Sequence, residues 1–512
     1  MVLKKLQIGV LSLLSCLVVV CAVANEARAE KIRIIVESDL PGGDPDDEGS
    51  MTRFFMYLNE FDVEGIIGTR NASQSRTSKD AKEEILGFVD AYEKVYPSLS
   101  THAEGYPTPA SLRLISKQCF SGSEGRDLII KAVDKADSRP LVISNWGTNE
   151  GNKTSTRQAL DHIKATRSDA DYKKFAKKII MCEGGGQESC YQLQAHYSNF
   201  LLVIDTFMPK YWYRRFGPLT ETAGGFDINR DVKKSHGELG AKYTITKEGD
   251  SPCFLHCLPT GLIDVRKSHF GSWGGRFGFA DGKYQCSVND NWQGTTNRDN
   301  TLKRWAVHLQ HDFAARADWC IKPVAEANHP PKPVVNGDKT MDIITLSTKA
   351  GASVTLNAAG SSDPDNNSLS YEWVYYPEPG TYTKSFSLTN TTKESITFTM
   401  PADLAKTDSL HIILIATDNG TPTLTRYRRV ILTGNGSGGS TKVEQTPAAF
   451  ESAAHGSQIK SNALVFDLRG RSVQLQSSSS AGASTGKLRT GVLLVNEGNK
   501  TRLVPHLSHE TN

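Results

Sequence analysis

One short stretch carries most of the chemistry this chain can do. From Glu37 to Glu48 the sequence reads Glu-Ser-Asp-Leu-Pro-Gly-Gly-Asp-Pro-Asp-Asp-Glu, and six of these twelve residues are carboxylates. Packed together in a fold, such groups repel and some are forced to keep their protons. A hard cation removes that conflict, since Ca²⁺ accepts about six to eight oxygen ligands, several of them carboxylates. Asp46 and Asp47 stand where the next helical pattern begins, and a helix start favours negative charge. Gly42 and Gly43 let the backbone turn tightly before them. A solvated acidic turn that caps a helix would use the same residues, so composition alone leaves both readings open.

The elements around this loop say where it sits. It follows an apolar strand pattern at 32–36, and open α/β sheets place their ligands at such strand ends. Met51, Phe54, Phe55 and Leu58 then fall at i, i+3, i+4, i+7, which predicts a helix. Further strand patterns lie at 63–67, 141–144, 179–182 and 201–204, with a helical face of Ile85, Leu86, Val89 and Tyr92 between the first two. The alternation predicts an α/β domain over 30–327, with a mostly parallel sheet covered by helices on both faces. Texture changes at the Pro-rich stretch 328–333. Residues 328–433 alternate apolar and polar between regular turn clusters, the pattern of a β-sandwich. A Gly/Ser-rich linker spans 434–457, and a small β unit closes the chain at 458–512.

Charge and cysteine usage narrow the class. Across 512 residues, 59 Lys/Arg face 56 Asp/Glu, a balance that excludes the basic excess of a dedicated nucleic-acid binder. The excess that exists sits at the ends. Residues 457–512 hold seven Lys/Arg against three Asp/Glu, and 1–29 hold three against one, so 30–456 is slightly acidic. Residues 1–29 read as a secretory signal: Lys4 and Lys5, an apolar run from Ile8 to Val23, then Ala22-Val-Ala24 or Ala27-Arg-Ala29 for cleavage. No later segment has the apolar length of a membrane span. Seven cysteines remain after the signal, at 119, 182, 190, 253, 257, 286 and 320. Cys253 and Cys257 have zinc-like spacing, but no second tight pair accompanies them. Buried thiols, or one to three disulfides, fit this set better.

The segment Ser38-Asp-Leu-Pro-Gly-Gly-Asp-Pro-Asp-Asp47 resembles the N-terminal calcium motif of the nucleoside hydrolase superfamily. Residues 31–325 more closely resemble the nucleoside hydrolase-like domain of the Sde182 type, known as cellulose-binding proteins. The resemblance is carried by Arg33–Asp47, Asn59–Ile67, Leu141–Gly147, His236–Gly240, Glu248–Pro252, Gly271–Arg276 and Asp312–Arg316. It implies that Asp39 is both a calcium ligand and the base for an attacking water. Asp47 would be a second ligand and Asp250 the downstream one, while Asp46 would face sugar hydroxyls. A threonine carbonyl would complete the site, from Thr148 or Thr154. Asn71 and Glu183 are placed to touch substrate, and Trp273 and Arg276 invite stacking and hydrogen bonding to a sugar.

The implied activity is calcium-dependent hydrolysis of an N-glycosyl or O-glycosyl bond. The implied alternative is a non-catalytic cellulose- or polysaccharide-binding protein. The partner is then a carbohydrate or nucleoside-like small molecule. Where well-studied nucleoside hydrolases carry a leaving-group histidine, this chain has Gly249. A proton donor would come from His236, His256 or His269, or not at all. Ser361-Ser-Asp-Pro-Asp365 leading to Trp373 resembles immunoglobulin-like modules. Leu468-Arg-Gly-Arg471 and Thr490-Gly-Val-Leu-Leu-Val495 resemble the sorting tail of the type IX secretion system. Those tails address a protein to the surface or exterior of a Gram-negative bacterium.

Overall fold

The computed structural model describes residues 31–41, 46–148, 154–184, 197–204, 211–244 and 248–435, the last piece running from the α/β body into the β domain. Of the tail it describes four strands. The signal segment, Gly42 to Pro45, Cys190, nearly all of the 434–457 linker and Arg469–Arg471 lie outside the described residues.

An eight-stranded sheet forms the centre of the first domain. Its strands are β1 (Ile32–Ser38), β2 (Phe61–Gly68), β3 (Ser116–Gln118), β4 (Leu141–Asn145), β5 (Ile179–Glu183), β6 (Leu201–Ile204), β7 (Gly278–Ala280) and β8 (Lys283–Gln285). They lie in the order β3-β2-β1-β4-β5-β6-β8-β7, all parallel except the edge strand β7. The central strands are apolar on both faces, as a sheet covered twice by helices requires. Ile34, Val36, Val142 and Ile180 feed one buried cluster, while Ile35, Ile143, Met181 and Leu202 feed the other. The α/β expectation is met.

Strand order dictates where a site can form. β1 has β2 on one side and β4 on the other, so the connections leaving it diverge. Divergence opens a crevice beyond the strand ends, the usual ligand position in such sheets. The parallel register sets Glu37, Asn145 and Glu183 side by side on β1, β4 and β5. Those three residues, with Asp39 just beyond β1, stand at that edge.

The second domain has six strands in two sheets. Ile344–Thr348, Thr425–Gly434, Ser409–Thr417 and Ser370–Tyr375 form one, and Ser353–Asn357 with Ser395–Thr399 form the other. Trp373, Leu356, Ile396, Leu410, Ile412 and Leu432 fill the space between. The sequence boundary at 327/328 is crossed by a tight seam. Arg426 pairs with Asp312 at 2.7 Å, and Arg429 donates to the carbonyls of Leu262 (2.9 Å) and Phe270 (2.8 Å). The Tyr427 N–H donates to the Thr260 carbonyl at 3.0 Å. Gly261, at φ +94°, lets this loop meet the strand Thr425–Gly434, because a Cβ there would lie 1.9 Å from the Tyr427 oxygen. The described residues of the α/β and β domains accordingly form one compact unit.

The tail is a separate unit. Its strands Leu464–Phe466, Ser472–Val473, Leu488–Glu497 and Lys500–His509 make a four-stranded antiparallel sheet. Among the described residues no helix is long and apolar enough to cross a membrane.

Candidate functional site

Asp46 and Asp47 open the helix Asp46–Met56 and are both buried. Asp250 reaches the same place from the segment after residue 247, also buried. Carboxylate oxygens of these three residues lie within 4.8 Å of one another. Burial, with the neighbouring Asp39 and Asp46 charges, holds the Asp47 carboxyl well above its usual range. Buried acids at this spacing need a cation or protons. An all-oxygen donor set of this kind suits a hard divalent ion such as Ca²⁺. The residues present therefore fit the metal that the sequence motif implies.

Asp39 stands beside this group rather than within it. Its Oδ2 accepts from Arg70 at 2.6 Å. Burial raises the Asp39 carboxyl, and the Arg70 guanidinium and the Asp47 contact pull it back down. Ser38 donates its hydroxyl to Asp47, which ties the end of β1 to the helix start. Gly147, two residues past β4, is needed here: a Cβ would lie 2.2 Å from the Asp39 carboxyl carbon.

The position of Asp250 is fixed by a residue two earlier. Glu248 accepts from Arg53 through Nε (2.5 Å) and Nη2 (2.9 Å), and from the hydroxyls of Ser251 (2.6 Å) and Tyr243 (2.9 Å). Gly184, after β5, gives Asp250 room, since a Cβ would come within 3.0 Å of Asp250 Oδ1.

The remaining candidates are dispersed. Glu183 is buried at the end of β5. Asn71 caps a short 3₁₀ turn, its side-chain oxygen accepting from Ser73 N–H at 3.0 Å. The Thr154 carbonyl accepts the Gln158 N–H at 3.1 Å, which engages it in the helix Ser155–Thr166. Thr148 adjoins Gly147 and so lies next to Asp39's neighbour in the chain. His236 pairs with Asp318 at 3.3 Å beside a cleft of about 610 Å³ whose lining includes none of the clustered acids. His269 stacks on Tyr284, and His256 sits among thiols. All six described cysteines after the signal are buried, and none is in a disulfide.

The structure packs Trp273 and Arg276 inside the fold. Trp273 is fully buried and donates its indole N–H to the Tyr427 hydroxyl at 3.1 Å. Arg276 is held by Asp290 at 2.6 Å and by the Asn289 carbonyl at 2.7 Å. Both side chains are held by partners within the fold. Between them Gly274 allows close approach of His256, whose Cβ would lie 2.5 Å from an added one. The Trp-Gly-Gly-Arg segment is thus a packing element of the seam.

Three residues at the strand ends are not evident from the sequence. Arg70 finds its partner only once β1 and β2 pair. Glu37 counts in the sequence only as loop charge. In the fold it accepts from the Ser155 N–H at 2.6 Å and from Thr156, and burial pushes its carboxyl up to about 7. Asn145 is fully buried between Glu37 and Glu183, and its carboxamide has no hydrogen-bond partner among the described residues. The strand-end rule is the one signal that points to it.

Comparison with known proteins agrees with this architecture. Residues 33–277 match the family described as cellulose-binding Sde182, nucleoside hydrolase-like domain. Residues 353–434 match the C-terminal domain of cellulose-binding protein Sde0182. A solved structure of a nucleoside hydrolase-related hypothetical protein from Saccharophagus degradans, associated with carbohydrate metabolism, is 33% identical. The match covers 79% of this chain and 100% of that one, with a TM-score of 0.66. An endo-fucoidan hydrolase of glycoside hydrolase family 107 aligns at 13% identity over 94% of this chain and 82% of that one. The TM-score of that alignment is 0.16. No curated protein matches the chain.

Proposed function

The chain belongs to the Sde182 family of nucleoside hydrolase-like proteins, and we propose that it is an exported, calcium-dependent hydrolase acting on a glycosyl bond of a carbohydrate. The observation that carries this reading is the meeting of Asp46, Asp47 and Asp250 in a buried group no wider than 4.8 Å. Calcium bound there would supply the positive charge that lets these acids ionise and a sugar diol be held. The Thr148 carbonyl is the better-placed threonine donor, since that of Thr154 is engaged in a helix.

The chain's own groups divide the work. Asp39 takes the proton of the attacking water. Arg70 holds one oxygen of that carboxylate and so fixes its orientation. Asn145 and Glu183 present polar atoms to substrate hydroxyls at the strand ends. The clustered carboxylates stabilise the oxocarbenium charge that develops at the anomeric carbon. Proton donation to the leaving group has no assigned histidine: Gly249 stands in the superfamily position, and His236, His256 and His269 are engaged elsewhere. Substrates with leaving groups that depart unprotonated are favoured.

That same engagement, with Arg70 on Asp39, favours a second reading: a non-catalytic cellulose- or polysaccharide-binding protein. The signal segment and sorting tail support delivery to the cell surface or exterior, through secretion machinery that reads the tail. A screen of nucleosides and plant-wall glycosides for released sugar, with and without EGTA, separates the two readings. Chelator-sensitive release supports hydrolysis. Retention on insoluble cellulose without release from any substrate supports binding alone.

A further inference from the structure

Behind the acidic group lies a second set of metal-ligating side chains. Cys182 on β5, His256 and Cys257 are all buried, and their donor atoms lie within 4.8 Å of one another. His256 Nε2 is 3.3 Å from the sulfur of Cys182 and 3.3 Å from that of Cys257. His256 Nδ1 lies 3.0 Å from the Cys253 carbonyl oxygen. A carbonyl only accepts, so Nδ1 carries the proton and donates it. Nε2 then presents its lone pair towards the Cys182 sulfur, while the Cys257 sulfur, 3.3 Å from Nε2 and 3.6 Å from Nδ1, lies to the side of the ring. This is how a metal-ligating histidine is usually prepared, with the remote nitrogen fixed by a backbone carbonyl.

We infer that Cys182, His256 and Cys257 supply three ligands to a Zn²⁺ ion that ties the end of β5 to the segment carrying Asp250. Three arguments carry it. Distances come first: with Zn–S near about 2.3 Å and Zn–N near about 2.0 Å, tetrahedral ligation separates N and S by about 3.5 Å. The 3.3 Å contact to Cys182 needs only a small expansion, and the Cys257 sulfur reaches the same ion by rotation of its side chain. Charge comes second. Two thiolates and a neutral imidazole cancel Zn²⁺, leaving no net buried charge, whereas Cu⁺ would leave an uncompensated negative one. Compartment comes third. An exported chain meets oxidising conditions, where adjacent thiols pair unless a metal holds them. The ligands lie 74 positions apart in sequence, so the metal would be captured as the chain folds.

The test uses the full-length protein purified without added metal and without chelator, then desalted. Metal analysis is expected to return one zinc per chain. X-ray absorption is expected to show two sulfurs near about 2.3 Å and one nitrogen near about 2.0 Å. Cys182→Ser and Cys257→Ser should each lose the zinc, while Asp47→Asn should retain it. If the serine variants do not fold, cobalt-loaded wild-type protein decides: a thiolate-to-cobalt charge-transfer band is expected. Metal-free protein with both thiols reactive after denaturation would overturn the site. So would a Cys182–Cys257 disulfide, seen as the loss of two hydrogens in the mass, or zinc retained by both folded serine variants.

Discussion

Arg53 grips Glu248 through two hydrogen bonds, of 2.5 Å and 2.9 Å, in the buried interior. Neither residue belongs to the acidic group, yet the pair determines its shape. Arg53 lies on the helix that begins with Asp46 and Asp47, and Glu248 lies two residues before Asp250. The ion pair therefore fixes the two halves of the proposed calcium site against each other.

Arg53→Met should consequently lower calcium affinity although Arg53 is no ligand. It leaves Glu248 buried with only hydroxyl partners, a change that costs about 3–5 kcal/mol when an ion pair is broken in this way. Chemical denaturation reads the stability, and calorimetric titration with calcium reads the affinity. A variant that loses stability but keeps wild-type calcium affinity would separate the pair from the site.

Asp47→Asn and Asp250→Asn should each abolish stoichiometric calcium binding, and calcium should raise the wild-type melting temperature. The raised Asp47 carboxyl sets the sign without metal. In that state the folded protein holds protons the unfolded chain releases, so stability falls as pH rises above the ordinary carboxylate range. Calcium reverses the trend, because it needs the ionised acids. Melting curves across pH, with calcium and with EGTA, check this. Parallel curves would contradict it.

Glu37 offers a cleaner titration, since its partners are neutral. Burial raises it from 4.5 to about 7. Its contribution is fully present below 4.5 and is lost as pH rises through about 7. Glu37→Gln keeps the acceptor for the Ser155 N–H and removes the charge. The variant should lose up to about 3 kcal/mol of the pH dependence between those values. Denaturation midpoints at several pH values measure it.

Arg70→Ala tests the catalytic reading directly. Without the guanidinium, the burial that already raises Asp39 is opposed mainly by the Asp47 contact. The acidic limb of the kcat/KM profile should move up by about 1–3 pH units. An unchanged limb in an active variant would remove Asp39 from the role of base.

Local pattern carries much of this arrangement. The strand, the acidic loop and the helix start are contiguous, so Asp39, Asp46 and Asp47 are legible in the sequence from spacing and motif. Asp250 is legible only through the family resemblance, because nothing near it in sequence points to β1. Arg70 and Asn145 are hidden because their meaning lies in strand pairing. The packing of Trp273 is hidden for a related reason: nothing near an aromatic followed by two glycines and an arginine names its partner. That partner, Tyr427, sits in the next domain. Cys182 is separated from His256 by most of two crossovers, so the zinc-like spacing of Cys253 and Cys257 points near the cluster but names only one of its ligands.

The same seam should make the two larger domains unfold together. Asp312 is buried, and the charges of Arg426 and Arg316 bring its carboxyl down to about 2 despite that burial. A lowered acid stabilises the fold above its ordinary 3.8, and that contribution is lost as pH falls toward about 2. Arg426 belongs to the β domain, so part of the α/β domain's stability is supplied across the boundary. Arg426→Met should cost about 3 kcal/mol, less than a full loss because Arg316 remains. Cutting the chain at 327/328 should be worse, since it exposes Trp273, Asp312, Arg426 and Arg429 together. Calorimetry on residues 31–435 should show one cooperative transition, and the separated pieces should aggregate or melt without one. Two independent transitions in the joined piece would mean that the seam is only a contact, and binding tests on the isolated domains would then be sound.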